Sequence, residues 1–228
     1  MSTSAVPYDS ARGRSGERIL RYTLAERVIH WVAGLAYVYV LGTGLAFWSP
    51  YLFWIAVFLG GAPTARFWHP WFGLLWFAAV IWMYVAWRGD MHTTAGDREW
   101  SKRIGDYIRN EDEKLPPIGR FNWGQKQFFW LMFYAGLALV LSGVAMWFVN
   151  DLPWSWRWLR YTAVLIHVVA ALLTIGGFII HVYMGTAMVR GGFTSIIRGE
   201  VSGDWAHMHH RLWYEKVRTK APGERKGA

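Results

Sequence analysis

Residues Tyr161–Val189 read YTAVLIHVVAALLTIGGFIIHVYMGTAMV, with no Asp, Glu, Lys or Arg. The stretch exceeds the roughly 20 apolar residues that a helix needs to cross a bilayer. Its two histidines, His167 and His181, lie fourteen residues apart. Fourteen residues of helix rise about 21 Å and fall about 40° short of four whole turns. Both imidazoles therefore share one helix face, one near each end of a span. A ligating side chain at membrane depth is costly and marks a functional site. This spacing suits two stacked cofactors, each held by imidazole.

Three more runs have the same character: Val28–Trp48, Trp68–Trp87 and Phe128–Val149. None contains Asp, Glu, Lys or Arg, and each is long enough to span. The expected fold is an all-α membrane protein, a four-transmembrane-helix bundle. Two shorter apolar stretches, Tyr51–Gly61 and Leu152–Leu159, fit interfacial segments. Aromatic residues make up 18% of the chain, with 17 Trp, which suits aromatic belts at both membrane surfaces.

Charge supplies the orientation. Of 24 Lys and Arg, 21 fall before the first run, between the second and third, or after the fourth. By the positive-inside rule, both termini and the Arg88–Gln127 loop are cytoplasmic. The net charge of +9 thus sits on one membrane face, which argues against nucleic-acid binding. There is no cysteine, so this chain holds no Cys-ligated iron–sulfur cluster, no covalently attached haem and no disulfide. Residues 1–27 do not read as a cleavable signal peptide.

Along the chain, residues 1–20 are expected to begin as a flexible segment. Thr23-Leu-Ala-Glu26 fits a capping box that starts the first helix near Leu24. His69-Pro70 reads as the opening of the second helix, with Pro in the first turn. Asp97–Asp112 reads as one surface helix. Asp97, Asp106, Glu111, Asp112 and Glu113 read either as a proton relay to the inner site or as a solvated face, and the solvated face is the expectation. The fourth helix is expected to run to about Arg190. The basic, aromatic tail with His207, His209 and His210 is expected at the membrane surface or on a partner.

Topology sorts four histidines by depth: His69 and His167 near the outer face, His30 and His181 near the inner. A bis-imidazole haem needs two ligands at one depth, which pairs His69 with His167 and His30 with His181. The competing readings are polar side chains bonded across helices, and zinc. Zinc prefers four ligands in a tetrahedron. Gly34, Gly42, Gly136, Gly143, Ala170, Ala171 and Gly177 admit close approach of a flat macrocycle or of another helix.

Several stretches together resemble the gamma subunit of membrane-bound, respiratory formate dehydrogenase. They are Arg27-Val-Ile-His30-Trp31, His69-Pro70-Trp-Phe-Gly73, Phe121-Asn122-Trp-Gly124-Gln125-Lys126, Leu165-Ile-His167 and Ile179-Ile-His181-Val-Tyr183-Met184. The tail pattern Trp205-Ala-x-x-His209-His210-x-x-Trp213-Tyr214 is similar too. The resemblance implies two b-type haems on the same four histidines. It implies a menaquinone or ubiquinone site at Asn122, Gly124, Gln125 and His181. Asn122 also reads as a plain helix N-cap.

As partners the resemblance implies an iron–sulfur (beta) subunit, a molybdenum- or tungsten-containing catalytic (alpha) subunit and lipid, with room for a higher oligomer of the complex. The setting is the bacterial inner membrane. The expected segments are 1–22 (N-terminal), 23–190 (dihaem cytochrome b domain) and 191–228 (cytoplasmic tail). The rival readings are the cytochrome b of an uptake hydrogenase and a haem-free membrane anchor or proton-pathway protein.

Overall fold

Strand β1 (Arg18–Leu20) precedes α1 (Leu24–Trp48), which starts where the Thr23 signal placed it. After a single 3-10 turn come α2 (Trp54–Phe58) and α3 (Ala62–Trp87). The central loop carries α4 (Ala95–Lys102) and α5 (Ile104–Ile108), and then α6 (Trp123–Trp147) and α7 (Arg157–Tyr183) follow. A π-helical turn at Met184–Met188 leads to α8 (Gly192–Arg198), strand β2 (Glu200–Ser202), α9 (Gly203–His209) and α10 (Arg211–Lys220). The computed structural model describes residues 16–109 and 111–220. The expected flexible start, up to residue 15, and the last eight residues of the tail lie outside the described residues.

Four helices are long and apolar enough to cross a membrane: α1, α3, α6, and α7 with its flanking turns, Trp154–Met188. Two compact units divide the chain. One comprises Ala25–Arg88 and Phe128–Val182 and holds most of these helices. Its core sets small residues against large rings. Ala33 and Ala36 of α1 leave room for Trp76 and Phe77 of α3, with Tyr37 and Met132 completing the cluster. The Tyr37 ring lies 5.5 Å from Trp76 and 4.9 Å from Phe178. Gly136 is part of this fit, since a Cβ there would stand 2.9 Å from the Phe77 ring. Leu35, Leu141, Leu165, Leu173 and Ile180 are exposed, as an apolar solvent requires of a spanning bundle.

The second helix departs from expectation. It begins at Ala62, with Gly61 as N-cap and Pro63 in its first turn, so Pro70 lies inside it. Pro63 takes the N-terminal role expected of Pro70. Lacking an N–H, Pro70 leaves the Arg66 carbonyl without its helical donor. Glu26, in the first turn of α1, is buried and accepts a 2.6 Å hydrogen bond from the Trp87 indole.

The other unit gathers the described parts of residues 1–24, 89–127 and 183–228. The N-terminal segment, central loop and tail, read separately from sequence, fold as one body. β1 pairs antiparallel with β2, Ile19 opposite Val201. Ile19, Val201, Ala206, Trp213 and Tyr214 form its core. Arg21 is buried among Tyr22, Trp205 and Trp213, about 5 Å from each ring centre, within cation–π range.

Three expectations are corrected here. The expected Asp97–Asp112 helix breaks at Arg103, and its first part begins earlier, at Ala95. Thr94 is the N-cap, and a reciprocal capping box with Asp97 sets the start. Asp97 is also not on a solvated face. It is 2% exposed and pairs with Lys126 Nζ at 2.7 Å. The tail histidines are not uniformly peripheral either: His210 is buried, because its ring bridges Arg21 and the Gly119 carbonyl.

Candidate functional site

Each histidine pair expected from depth comes together. The rings of His30 (α1) and His181 (α7) have centres 6.0 Å apart, inclined at 50°. Those of His69 (α3) and His167 (α7) are 6.4 Å apart at 51°. Imidazole nitrogen binds a divalent first-row metal at about 2.0–2.1 Å, the value for zinc. Two imidazoles on opposite sides of one such ion therefore have centres about 6 Å apart. Both pairs meet that requirement. Among the described residues no group of three or more His, Cys, Asp or Glu could hold a metal, so a four-ligand zinc site has no support there.

The His69–His167 pair lines a cavity of about 840 Å³, within the roughly 300–1,000 Å³ typical of cofactor sites. Its walls are mostly apolar, with Tyr37, Leu41, Leu139 and Trp147 among them. Arg66, one turn before His69, supplies a cation to the lining. A Cβ on Gly34 or Gly73, each one turn after a ligand histidine, would meet nothing within 4 Å. Space of that kind beside each pair fits a flat macrocycle. Gly42, by contrast, faces Leu59 and Ile55, and Gly177 faces Leu131; those two serve helix packing.

What holds the rings differs between pairs. Thr43 Oγ1 lies 2.7 Å from His69 Nδ1, and Ser142 Oγ lies 3.0 Å from His167 Nδ1. Neither hydroxyl was among the residues singled out from sequence. The available signal was a hydroxyl residue followed by glycine in two apolar runs, Thr43-Gly44 and Ser142-Gly143. His181 instead stacks on Phe128, ring centres 4.4 Å apart and planes 3° from parallel. His30 Nδ1 is buried with no hydrogen-bond partner.

Asn122, Gly124 and Gln125 stand at the start of α6. Asn122 Oδ1 accepts from the Gln125 backbone N–H at 2.8 Å, and Gln125 Oε1 accepts from the Asn122 N–H at 3.0 Å. That reciprocal arrangement is a capping box. Asn122 Nδ2 reaches toward the Tyr107 hydroxyl at 3.5 Å. Gly124 is open: a Cβ there would meet only Asn122 Oδ1, at 3.5 Å. Lys126 closes the turn through Asp97 and the His92 carbonyl. These residues belong to one compact unit and His181 to the other.

Comparison with known proteins agrees with this chemistry. A family model described as prokaryotic cytochrome b561 matches residues 21–199. The cytochrome b556(fdo) subunit of formate dehydrogenase from Escherichia coli (strain K12) is 32% identical over 203 residues, covering 89% of this chain and 94% of the relative. The nitrate-inducible cytochrome b556(Fdn) subunit of the same strain is 30% identical, covering 87% and 91%. A formate dehydrogenase cytochrome b556 subunit from Haemophilus influenzae is 29% identical, covering 89% and 85%. The chain belongs to the prokaryotic cytochrome b561 family and is a relative of the formate dehydrogenase cytochrome b556 subunits.

Proposed function

We propose that this chain is the membrane cytochrome b subunit of a respiratory formate dehydrogenase, with both termini cytoplasmic in a bacterial inner membrane. The observation that carries the reading is the two histidine pairs, each about 6 Å between ring centres, strung along one face of α7. Bound b-type haem supplies a one-electron carrier at each pair. His30 with His181 and His69 with His167 would hold its iron through their imidazole nitrogens. The apolar walls around His69 and His167 exclude water, and Arg66 offers a counter-charge to an acidic edge.

Electrons from a periplasmic iron–sulfur subunit, drawn from a molybdenum or tungsten subunit that oxidises formate, pass inward to menaquinone or ubiquinone. The quinone takes two protons from the cytoplasmic side, so charge crosses the membrane with each turnover. The Asn122–Gln125 turn is the proposed quinone site. Support for it is the open backbone at Gly124 and the Asn122 amide.

Purified complex tests this reading. The expected result is two extractable haems b per chain and co-purification of a formate-oxidising subunit. Absence of a reduced b-type spectrum would return the chain to a haem-free anchor or proton-pathway protein. A hydrogenase as the co-purifying partner would change the electron donor and leave the haem sites standing.

A further inference from the structure

Two hydroxyl–glycine dipeptides occupy equivalent places in the bundle. Thr43-Gly44 of α1 faces His69 of α3, and Ser142-Gly143 of α6 faces His167 of α7. Thr43 Oγ1 contacts the Tyr39 carbonyl at 2.9 Å and the Val40 carbonyl at 3.2 Å, besides His69 Nδ1 at 2.7 Å. Ser142 Oγ repeats the pattern with the Ala138 carbonyl at 2.6 Å, the Leu139 carbonyl at 3.2 Å and His167 Nδ1 at 3.0 Å. The glycines keep the approach clear. A Cβ on Gly44 would lie 3.6 Å from His69 Cε1, and one on Gly143 would lie 3.4 Å from His167 Cε1.

A hydroxyl has one hydrogen, and a carbonyl can only accept. The arrangement that satisfies every contact has the hydroxyl donating to its own helix and accepting from the imidazole. Nδ1 of both histidines then carries the proton, and both Nε2 lone pairs are free for iron. Thr43 and Ser142 are buried, so water does not compete for these bonds. At the other pair, His30 Nδ1 is buried without a partner.

We infer that Thr43 and Ser142 are positioning residues that set the redox potential of the haem held by His69 and His167, lowering it relative to the haem held by His30 and His181. A hydrogen bond accepted from Nδ1–H pushes electron density onto the ring and makes it a more basic ligand. A more basic ligand favours the oxidised metal, and hydrogen bonding beyond the ligands is one of the levers a protein has over haem potential. With both axial ligands so bonded at one site and His30 unbonded at the other, electron transfer from the first to the second is favoured. The inference rests on the dihaem reading above.

The test is spectroelectrochemical titration of the purified complex, with the His69–His167 haem identified as the component absent from His69→Ala. Thr43→Val and Ser142→Ala should each move that component's midpoint potential upward and leave the other where it was. Thr43→Ser should restore the wild-type value. Selective loss of that haem in both hydroxyl-free variants, with retention in Thr43→Ser, would also support the assignment, because a ring free to flip presents the wrong nitrogen. An unmoved potential in a haem-loaded Thr43→Val or Ser142→Ala protein would overturn it, as would an equal shift of both components. Wild-type protein without haem would instead remove the dihaem reading, so the two failures are distinct.

Discussion

Arg21 Nη2 donates a 2.9 Å hydrogen bond to His210 Nε2, and His210 Nδ1 donates to the Gly119 carbonyl at 2.9 Å. Both ring nitrogens are thereby used in a neutral imidazole. Burial, and then the charge of Arg21, push the His210 pKa well below its ordinary value. The unfolded chain binds a proton there near pH 6.5, so it binds more protons than the folded one just below that pH. The contribution of neutral His210 to the stability of the β1–β2 unit is present above about pH 6.5 and falls as the pH drops from there toward the folded pKa. Amide exchange in β1 and β2 should accelerate beyond its intrinsic pH dependence as the pH is lowered through 6. His209 is lowered by burial against the opposing pull of Asp112 and adds in the same direction. His210→Gln should flatten most of the dependence; an unchanged slope would rule out His210 as its source.

The Lys126–Asp97 pair, 2.7 Å long with both side chains buried, sets up a second prediction. Burial opposes the Asp97 charge. Hydrogen bonds from Lys126 and Thr94, with the charge of Lys126, outweigh it and hold the pKa below the usual carboxylate range. Its stabilising contribution is therefore present above about pH 4 and lost as the pH falls through the folded pKa. Lys126→Met leaves a buried, unpaired carboxylate, which costs on the order of 3–5 kcal/mol. Limited proteolysis of the Gly89–Gln127 segment should show it, and Lys126→Met with Asp97→Leu should recover much of the loss. A single variant as resistant as the double would show that the pair carries little.

Selective loss of absorbance distinguishes the two histidine pairs. His69→Ala should remove one b-type component and His30→Ala the other, at matched chain content. Gly73→Leu, which fills the open space one turn after His69, should mimic His69→Ala. If His69→Ala and His30→Ala remove the same component, the pairing by depth is wrong.

Asn122 has two separable duties. As an N-cap its loss to Ala costs about 0.5–2 kcal/mol of helix stability, whereas Ser keeps the cap. As a donor to a quinone carbonyl it contributes about 0.5–1.5 kcal/mol, roughly a twofold to thirteenfold change in quinone reoxidation of the haems. Asn122→Ser should keep the stability and still lose that rate, read by stopped flow at equal haem content. A Ser variant with full rate would leave Asn122 as a cap alone.

The sequence by itself determined the spans, because uninterrupted apolar length is a one-dimensional quantity that a bilayer reads directly. It also determined which histidines meet. Fourteen residues of helix put His167 and His181 on one face, and alternate crossing put His69 and His30 at the matching depths. The start of the first helix at Leu24 was legible for the same local reason. Pro70 misled, since a proline opening a helix and one within it look alike until Gly61 and Pro63 are seen to start α3. Only the tertiary structure decided the rest. Asp97 looked like one charge of a solvated row until Lys126, 29 residues away, was brought against it. His210 looked peripheral until β1 delivered Arg21. Thr43 and Ser142 were not singled out at all, because what sets their role is a ring on another helix. Such contacts depend on which helix faces pack together, and no local pattern encodes that.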